Sequence, residues 1–296
     1  MKLYPNCKIN LGLNIVSKRL DGYHNIETVF LPIPLADCLE LDSSLRDEFE
    51  IDGQKLDCES KDNLVIKVLD MLRDEGYYIP PVSIRLTKNI PTGAGLGGGS
   101  SDAAFMMKGL NQLFRLGMSD TEMEKKVRKL GADCPFFIKN RPVYAQGIGD
   151  EFSELPVALM NKQYPTLPPV GTTLPPTTTL SIPAPLHGYW LVLVKPDDFI
   201  STKEAYSQVH AHPSDQSLTD IMRLPVREWR HHIHNQFEDS VFPQHPTLTD
   251  IREQMYQLGA RYAAMSGSGS TMYGLWRQRP QLGDVFQDWF QWMCQL

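Results

Sequence analysis

Apolar and polar residues alternate along this chain in two rhythms. A period of two runs through "CLELDS" (38–43), "EFEID" (48–52) and "VSIRLTK" (82–88), where Val82, Ile84 and Leu86 share one face, and it predicts half-buried strands. "YWLVLVKP" is apolar without a break, as a strand covered on both faces must be. A period near 3.6 takes over in "DNLVIKVLDMLRDEG", with Leu64, Val65, Val68, Leu69 and Leu72 on one face and Gly76 as the stop. The same period places Ala103, Met107, Leu110 and Phe114 together in "SSDAAFMMKGLNQLF", whose opening Ser and Asp residues suit an N-cap. "SDTEMEKKVRKLG" predicts a helix from Ser119 or Asp120 to Gly131. "HPTLTDIREQMYQLG" predicts another, with Leu248, Ile251, Met255 and Leu258 facing inward and Gly259 ending it, before strand, small-residue loop and strand. Trp289 and Trp292 in the C-terminal "DVFQDWFQWMCQL" are expected on a packing helix, and "HHIHN" (231–235) on an exposed polar helix without a metal.

Residues 163–186 break both rhythms: seven prolines and no charged residue leave neither a helix nor a central strand available. This segment divides the chain into an expected N-terminal domain (1–160), a Pro/Thr-rich linker or surface loop (161–187) and a C-terminal domain (188–296), in keeping with about 150 residues per domain. Composition adds limits. With 42% apolar and 22% charged residues the chain is an ordinary globular one, and its net charge of −6 argues against nucleic acid or an anionic membrane as partner. No stretch has the length and apolarity of a membrane span or a signal peptide. The five cysteines are odd in number and unpaired in spacing, so they are expected to be reduced, and the expected address is the cytoplasm.

The densest chemistry lies in "PTGAGLGGGSSDAA", from Pro91 to Ala104, where a strand passes through Gly93, Gly95, Gly97, Gly98 and Gly99 directly into a helix. Gly93, Gly95 and Gly98 fit G-x-G-x-x-G, but the strand before them is amphipathic and lies far into the chain, both contrary to a dinucleotide fold. A Walker loop requires G-K-[ST] and finds no lysine here. A loop that wraps ATP phosphates fits better: bare N–H groups approach the oxygens, and the helix N-terminus aims its positive end at them. Ser100 and Ser101 add hydroxyls for phosphate or Mg²⁺.

Pro91 to Ser101 resembles the second motif of the galactokinase, homoserine kinase, mevalonate kinase and phosphomevalonate kinase superfamily, the GHMP kinases. "NCKINLGLNIVSKRLDGYHNIETVF" is similar to its first motif and "AAMSGSGSTMYGL" to its third, in the right order and over nearly the whole chain outside 163–186. In detail "KINLGLNI…RLDGYH", "GLGGGSSDAA" and "LGADCPFF" resemble the branch that phosphorylates the 2-hydroxyl of a cytidine-diphosphate-linked methylerythritol on the non-mevalonate isoprenoid route. The resemblance implies an α+β fold of two domains, ribosomal S5 domain 2-like then ferredoxin-like, with ATP and acceptor meeting in the cleft, Mg²⁺ carried by ATP, and monomer and homodimer both open.

It also implies roles for individual residues. Asp133 would accept or orient the proton of the acceptor hydroxyl and Lys8 would keep that carboxylate ionised and offset developing charge. ATP would be held by Pro91, Thr92, Gly93, Ala94, Gly95, Leu96, Gly97, Gly98, Gly99, Ser100 and Ser101, with Asn63 and Lys88 near the nucleotide, and Ser100 is the candidate for Mg²⁺. Asn10, on the same face of the first strand as Lys8, would bind substrate. Tyr23 would stack on cytosine, His24 would hydrogen-bond its edge, and Tyr206 would supply a second aromatic face. Rival expectations are another acceptor within the superfamily (mevalonate, homoserine or a sugar) and an ATP-binding relative without turnover.

Overall fold

The first long stretch of regular structure is a pair of thirteen-residue strands, Asn6–Lys18 and His24–Ala36, joined across the turn at Asp21 and Gly22. A computed structural model describes residues 1–54, 60–160, 180–214 and 216–296; Cys58 and most of the expected linker, 161–179, lie outside the described residues. The strands are β1 (Lys2–Leu3), β2 (Asn6–Lys18), β3 (His24–Ala36), β4 (Cys38–Ser43), β5 (Glu48–Gly53), β6 (Val82–Lys88), β7 (Val143–Gln146), β8 (Glu151–Glu154), β9 (Trp190–Lys195), β10 (Tyr262–Met265), β11 (Met272–Trp276) and β12 (Phe290–Gln295). The helices are α1 (Leu64–Asp74), α2 (Gly98–Leu113), α3 (Asp120–Val127), α4 (Phe136–Lys139), α5 (Thr202–Tyr206), α6 (Leu218–Ile221), α7 (Val226–Trp229), α8 (Phe237–Val241) and α9 (Pro246–Gln257). The chain divides into two compact units, one from Met1–Cys7, Leu35–Thr92 and Gly97–Arg141, the other from Lys8–Pro34, Gly93–Leu96 and Pro142–Leu296.

The first unit holds a sheet in the order β1-β4-β6-β5. β4 runs antiparallel to β6 and β5 parallel to it, with Leu41 opposite Ile84 and Ile51 opposite Leu86. Val82, Ile84 and Leu86 are buried as their alternation requires. Helix α1 starts where the Asn63 side chain accepts the Val65 N–H at 2.9 Å, and it buries Val65, Val68, Leu69 and Leu72. Each such side chain taken from water contributes about 1.5–3 kcal/mol, so a charge at Val68 would open this face. Helix α2 crosses the sheet through Gly109, where a Cβ would fall 2.5 Å from Leu41 and 2.7 Å from Leu3. Helix α3 is set by a capping box in which Ser119 and Glu122 satisfy each other's backbone N–H.

The second unit holds most of the sheet β2-β3-β7-β8 and all of the antiparallel sheet β10-β11-β9-β12. In the latter, β9 is central and Leu191, Val192, Leu193 and Val194 are all buried, which accounts for its unbroken apolar run. Its strand order is that of a ferredoxin-like sheet, with α5 to α9 filling the first crossover. Leu248, Ile251 and Met255 of α9 are buried in its core. The end of the proline-rich segment belongs here too, with Leu180, Ile182 and Leu186 buried.

Two expectations fail in this unit. The C-terminal residues form strand β12, with Trp292 opposite Leu193 and Cys294 opposite Leu191, and Trp289 lies just before it after a run of turns. At this sheet edge Phe290 to Met293 are all half-buried, so neither face dominates and the residues satisfy helical and strand spacings equally. "HHIHN" is a turn after α7: His231, His232 and His234 are exposed while Ile233 and Asn235 alternate inward, and Asn235 bridges Leu13.

Candidate active site

Gly93, Gly95 and Gly97 all take positive φ, +58°, +72° and +69°, so the loop winds through backbone that side-chain-bearing residues avoid. Gly95 is the tightest point: a Cβ there would lie 2.0 Å from the carbonyl oxygen of Ser266. Pro91, Ala94 and Leu96 are buried, whereas Thr92, Gly93 and Gly99 are exposed. Helix α2 begins at Gly98, with Gly97 as a cap that has no side chain to offer. The expected cap among Ser100, Ser101 and Asp102 is therefore three to five residues too late, because the glycines themselves enter the helix and leave the N–H groups of its first turn without intrahelical acceptors. Ser101 departs from its expected role as well. Fully buried, its hydroxyl donates to the Asn6 carbonyl at 2.7 Å, while Ser100 stays half-buried in the same turn.

Lys88 sits behind the loop rather than on it. At 3% exposure its ammonium meets Asp37 and, at 2.5 Å, Asp102 of α2. Burial works against that charge, but the Asp102 and Asp37 carboxylates outweigh it and hold the lysine above its usual range. Asp102 pays the burial cost instead, and its carboxyl is pushed well above the ordinary carboxylate range despite Lys88. Asp37 also accepts the Asn89 and Ile90 N–H groups at 2.6 and 2.8 Å, so this ion cluster fixes the chain as it enters the loop.

Lys8 is 3% exposed. Its Nζ donates to Asn10 Oδ1 at 2.6 Å and to the Gly95 carbonyl at 3.3 Å, and it lies 4.8 Å from the centre of the Phe30 ring. Its backbone N–H donates to Leu96 O at 3.0 Å, so strand and loop are joined at main chain and side chain alike. Alternation along β2 puts Asn10 beside Lys8, and the Asn10 amide is oriented by its donation to Thr28 Oγ1 at 3.0 Å.

The small-residue loop after β10 packs on the same place. Ser266 Oγ donates to the Gly95 carbonyl at 2.9 Å and accepts the Asn10 N–H at 3.3 Å, and the Thr271 N–H reaches Ala94 O at 3.3 Å. On its other side Asn235 Nδ2 donates to the carbonyls of Met265 and Gly267 at 2.7 and 2.8 Å. Asn235 carries no expectation from sequence because the three histidines around it dominate that stretch.

Asp133 lies half-buried in the turn between α3 and α4, in the first unit. That turn abuts the start of α2: a Cβ on Gly131 would meet Cys134 Sγ at 3.3 Å and Ser100 Oγ at 3.8 Å. Burial pushes the Cys134 thiol up to about 11, against a hydrogen bond with Ser100, so this cysteine stays a neutral packing group. Asn63 uses its side-chain oxygen as the α1 cap.

The expected base-binding residues meet only in part. His24 stacks on Tyr206, ring centres 4.7 Å apart and planes at 16°, and Tyr206 stands edge-on to Phe237 at 4.7 Å. Tyr23 is 61% exposed. One face of Tyr206 is thus covered by His24 instead of being open to a base. Burial, aided by the charge of Lys18, lowers the His24 pKa and favours its neutral ring.

The GHMP kinase N-terminal domain model matches residues 63–141 and the GHMP kinase C-terminal model matches 219–291. A 4-diphosphocytidyl-2-C-methyl-D-erythritol kinase of Bacteroides fragilis is 48% identical over 93% of this chain and 92% of its own length, and one of Parabacteroides distasonis is 46% identical over the full length of both. A crystal structure of 4-(cytidine 5'-diphospho)-2C-methyl-D-erythritol kinase superposes with a TM-score of 0.77 at 28% identity, covering 99% of this chain and 98% of that one. A mevalonate kinase structure shares the fold with a TM-score of 0.67 at 12% identity, over 100% and 98% of the two chains.

Proposed function

This chain belongs to the GHMP kinases and, within them, to the 4-diphosphocytidyl-2-C-methyl-D-erythritol kinases, and we propose that it moves the γ-phosphoryl group of ATP to the 2-hydroxyl of 4-diphosphocytidyl-2-C-methyl-D-erythritol. The observation that supports the catalytic part most strongly is the placement of Lys8, whose ammonium is fixed between Asn10 Oδ1 and the carbonyl of the phosphate-loop glycine Gly95.

In this mechanism the oxygen of the acceptor hydroxyl attacks the γ-phosphorus, the bond to the β-bridging oxygen breaks to release ADP, and the hydroxyl proton passes to the Asp133 carboxylate. Lys8 offsets charge on the transferring group from a site where low exposure keeps water from screening it. The N–H groups from Gly93 to Ser100 hold the nucleotide phosphates, with Pro91 and Leu96 packing the loop beneath and Lys88 acting from behind through Asp37 and Asp102. Asn63 keeps its place near the nucleotide by capping α1. A Mg²⁺ ion, when bound with ATP, neutralises phosphate charge, and the half-buried hydroxyl of Ser100 is an oxygen donor suited to it. Asn10 contacts the acceptor. Tyr23 stacks on cytosine, His24 hydrogen-bonds its edge as a neutral ring, and Tyr206 backs His24.

The nucleotide-binding domain is proposed as 1–160 and the second domain as 188–296; the two family matches fall one in each. Among the described residues no helix is long and apolar enough to cross a membrane, and we place the enzyme in the cytoplasm. Purified protein supplied with ATP and, in turn, 4-diphosphocytidyl-2-C-methyl-D-erythritol, mevalonate, homoserine and galactose tests the acceptor. ADP release is expected with the cytidylyl compound alone, and release with mevalonate but not with that compound overturns the assignment.

A further inference from the structure

His245 immediately precedes α9 and holds a carboxylate on each ring nitrogen: Nδ1 lies 3.0 Å from Asp198 Oδ1 and Nε2 lies 2.9 Å from Glu204 Oε1. The two acids come from different places. Asp198 follows β9, and Glu204 is in the five-residue helix α5, two positions before Tyr206. A helix of this length has little stability of its own, so its placement depends on what it is tied to. Among the described residues its ties include the Ser201 hydroxyl that caps it, Ser240 Oγ donating to the Ala205 carbonyl at 2.7 Å, the Tyr206 ring against Phe237, and His245. The Asp198 carbonyl in turn accepts the Ser270 hydroxyl at 2.5 Å, which links the clamp to the small-residue loop beside Gly95.

We propose that His245 is a positioning residue for the cytidylyl substrate: by bridging Asp198 and Glu204 it fixes α5, and so sets the Tyr206 ring against which His24 is stacked. The inference rests on the assignment of His24 and Tyr206 to the cytidine end of the site. A doubly hydrogen-bonded imidazolium is the one side chain that donates to two carboxylates from opposite edges of a rigid ring. The two carboxylates raise the His245 pKa against the effect of burial, in accord with a charged ring between them. Its loss would free α5 to shift, whereas the hydrogen bonds from Lys8 to Asn10 and Gly95 and from Ser266 to Gly95 do not involve the His245 ring.

Steady-state kinetics on the full-length protein test this with His245→Ala, His245→Gln and Tyr206→Ala measured in parallel, each first checked for cooperative thermal unfolding. The expected result for His245→Ala is a KM for 4-diphosphocytidyl-2-C-methyl-D-erythritol raised about tenfold, with kcat and the KM for ATP within about twofold of wild type. His245→Gln keeps one amide donor and should recover part of that loss. If Tyr206→Ala raises the substrate KM and His245→Ala does not, the clamp is overturned while the base-binding assignment stands. If Tyr206→Ala leaves the substrate KM unchanged, the assignment itself fails. An equal fall in kcat and rise in both KM values for His245→Ala, without recovery in the Gln variant, also overturns the proposal, since it marks a general structural role.

Discussion

Ser266 donates its hydroxyl to the carbonyl of Gly95 at 2.9 Å, across 171 positions of sequence, and thereby binds the small-residue loop of the C-terminal half to the glycine loop. The same carbonyl receives the Lys8 ammonium at 3.3 Å. The glycine loop proposed to bind phosphate, Lys8 and the loop that buttresses them therefore meet at one peptide group. Gly95→Ala should break this point: the new methyl meets Ser266 O at 2.0 Å, and the positive φ adds about 1–2 kcal/mol of strain. We expect a loss of at least about 2 kcal/mol in urea unfolding together with a large fall in turnover. A variant as stable and active as wild type would remove Gly95 from this role.

Gly97 caps α2 with positive φ and no side chain. Gly97→Val places a β-branched residue in left-handed backbone at the mouth of the proposed phosphate site, and the KM for ATP should rise about tenfold or more with a smaller effect on the acceptor KM. Initial-rate measurements with each substrate varied separately distinguish the two.

Lys88 is buried between two acids. Lys88→Met keeps the volume but strands two carboxylates out of water, so a loss of about 3–5 kcal/mol is expected at neutral pH. Denaturant unfolding at pH 7 and pH 4.5 measures it. The loss should shrink at the lower pH, since the raised Asp102 pKa favours its protonated, neutral carboxyl there.

His24 has a lowered pKa, caused first by burial and then by the charge of Lys18, so its ring is predominantly neutral at and above the ordinary histidine value of about 6.5 and protonates below it. A neutral ring can both donate and accept; a protonated one only donates. The KM for the cytidylyl substrate should stay level over that range and rise as pH falls below it, and His24→Gln should abolish the rise. A rise that persists in His24→Gln assigns the titration to another group.

Much of this was legible in the sequence where a pattern is local. The helix start at Ser119, the alternation of Val82, Ile84 and Leu86, and the inward Leu248, Ile251 and Met255 of α9 are each carried by neighbours within a few positions, and all appear as expected, while Leu258 at the end of α9 is only half-buried. The glycine loop was legible as a place where something approaches backbone, but not the start of α2, because glycine gives no capping signal. Pairings at long range left no mark: Asp37 meets Lys88 across 51 positions and Asn235 meets Gly267 across 32, and nothing in either residue's surroundings announces its partner. The edge strand β12 was misread for a different reason. Its aromatic residues are half-buried on both faces, so hydrophobic spacing has no single period to report.

The most direct measurement is phosphoryl transfer from γ-labelled ATP to 4-diphosphocytidyl-2-C-methyl-D-erythritol by wild type and Asp133→Asn, with ATP binding followed by calorimetry. Removal of a general base is expected to lower kcat at least about 10²-fold while ATP affinity stays within about threefold. Label appearing on the acceptor at the wild-type rate in Asp133→Asn would contradict the account.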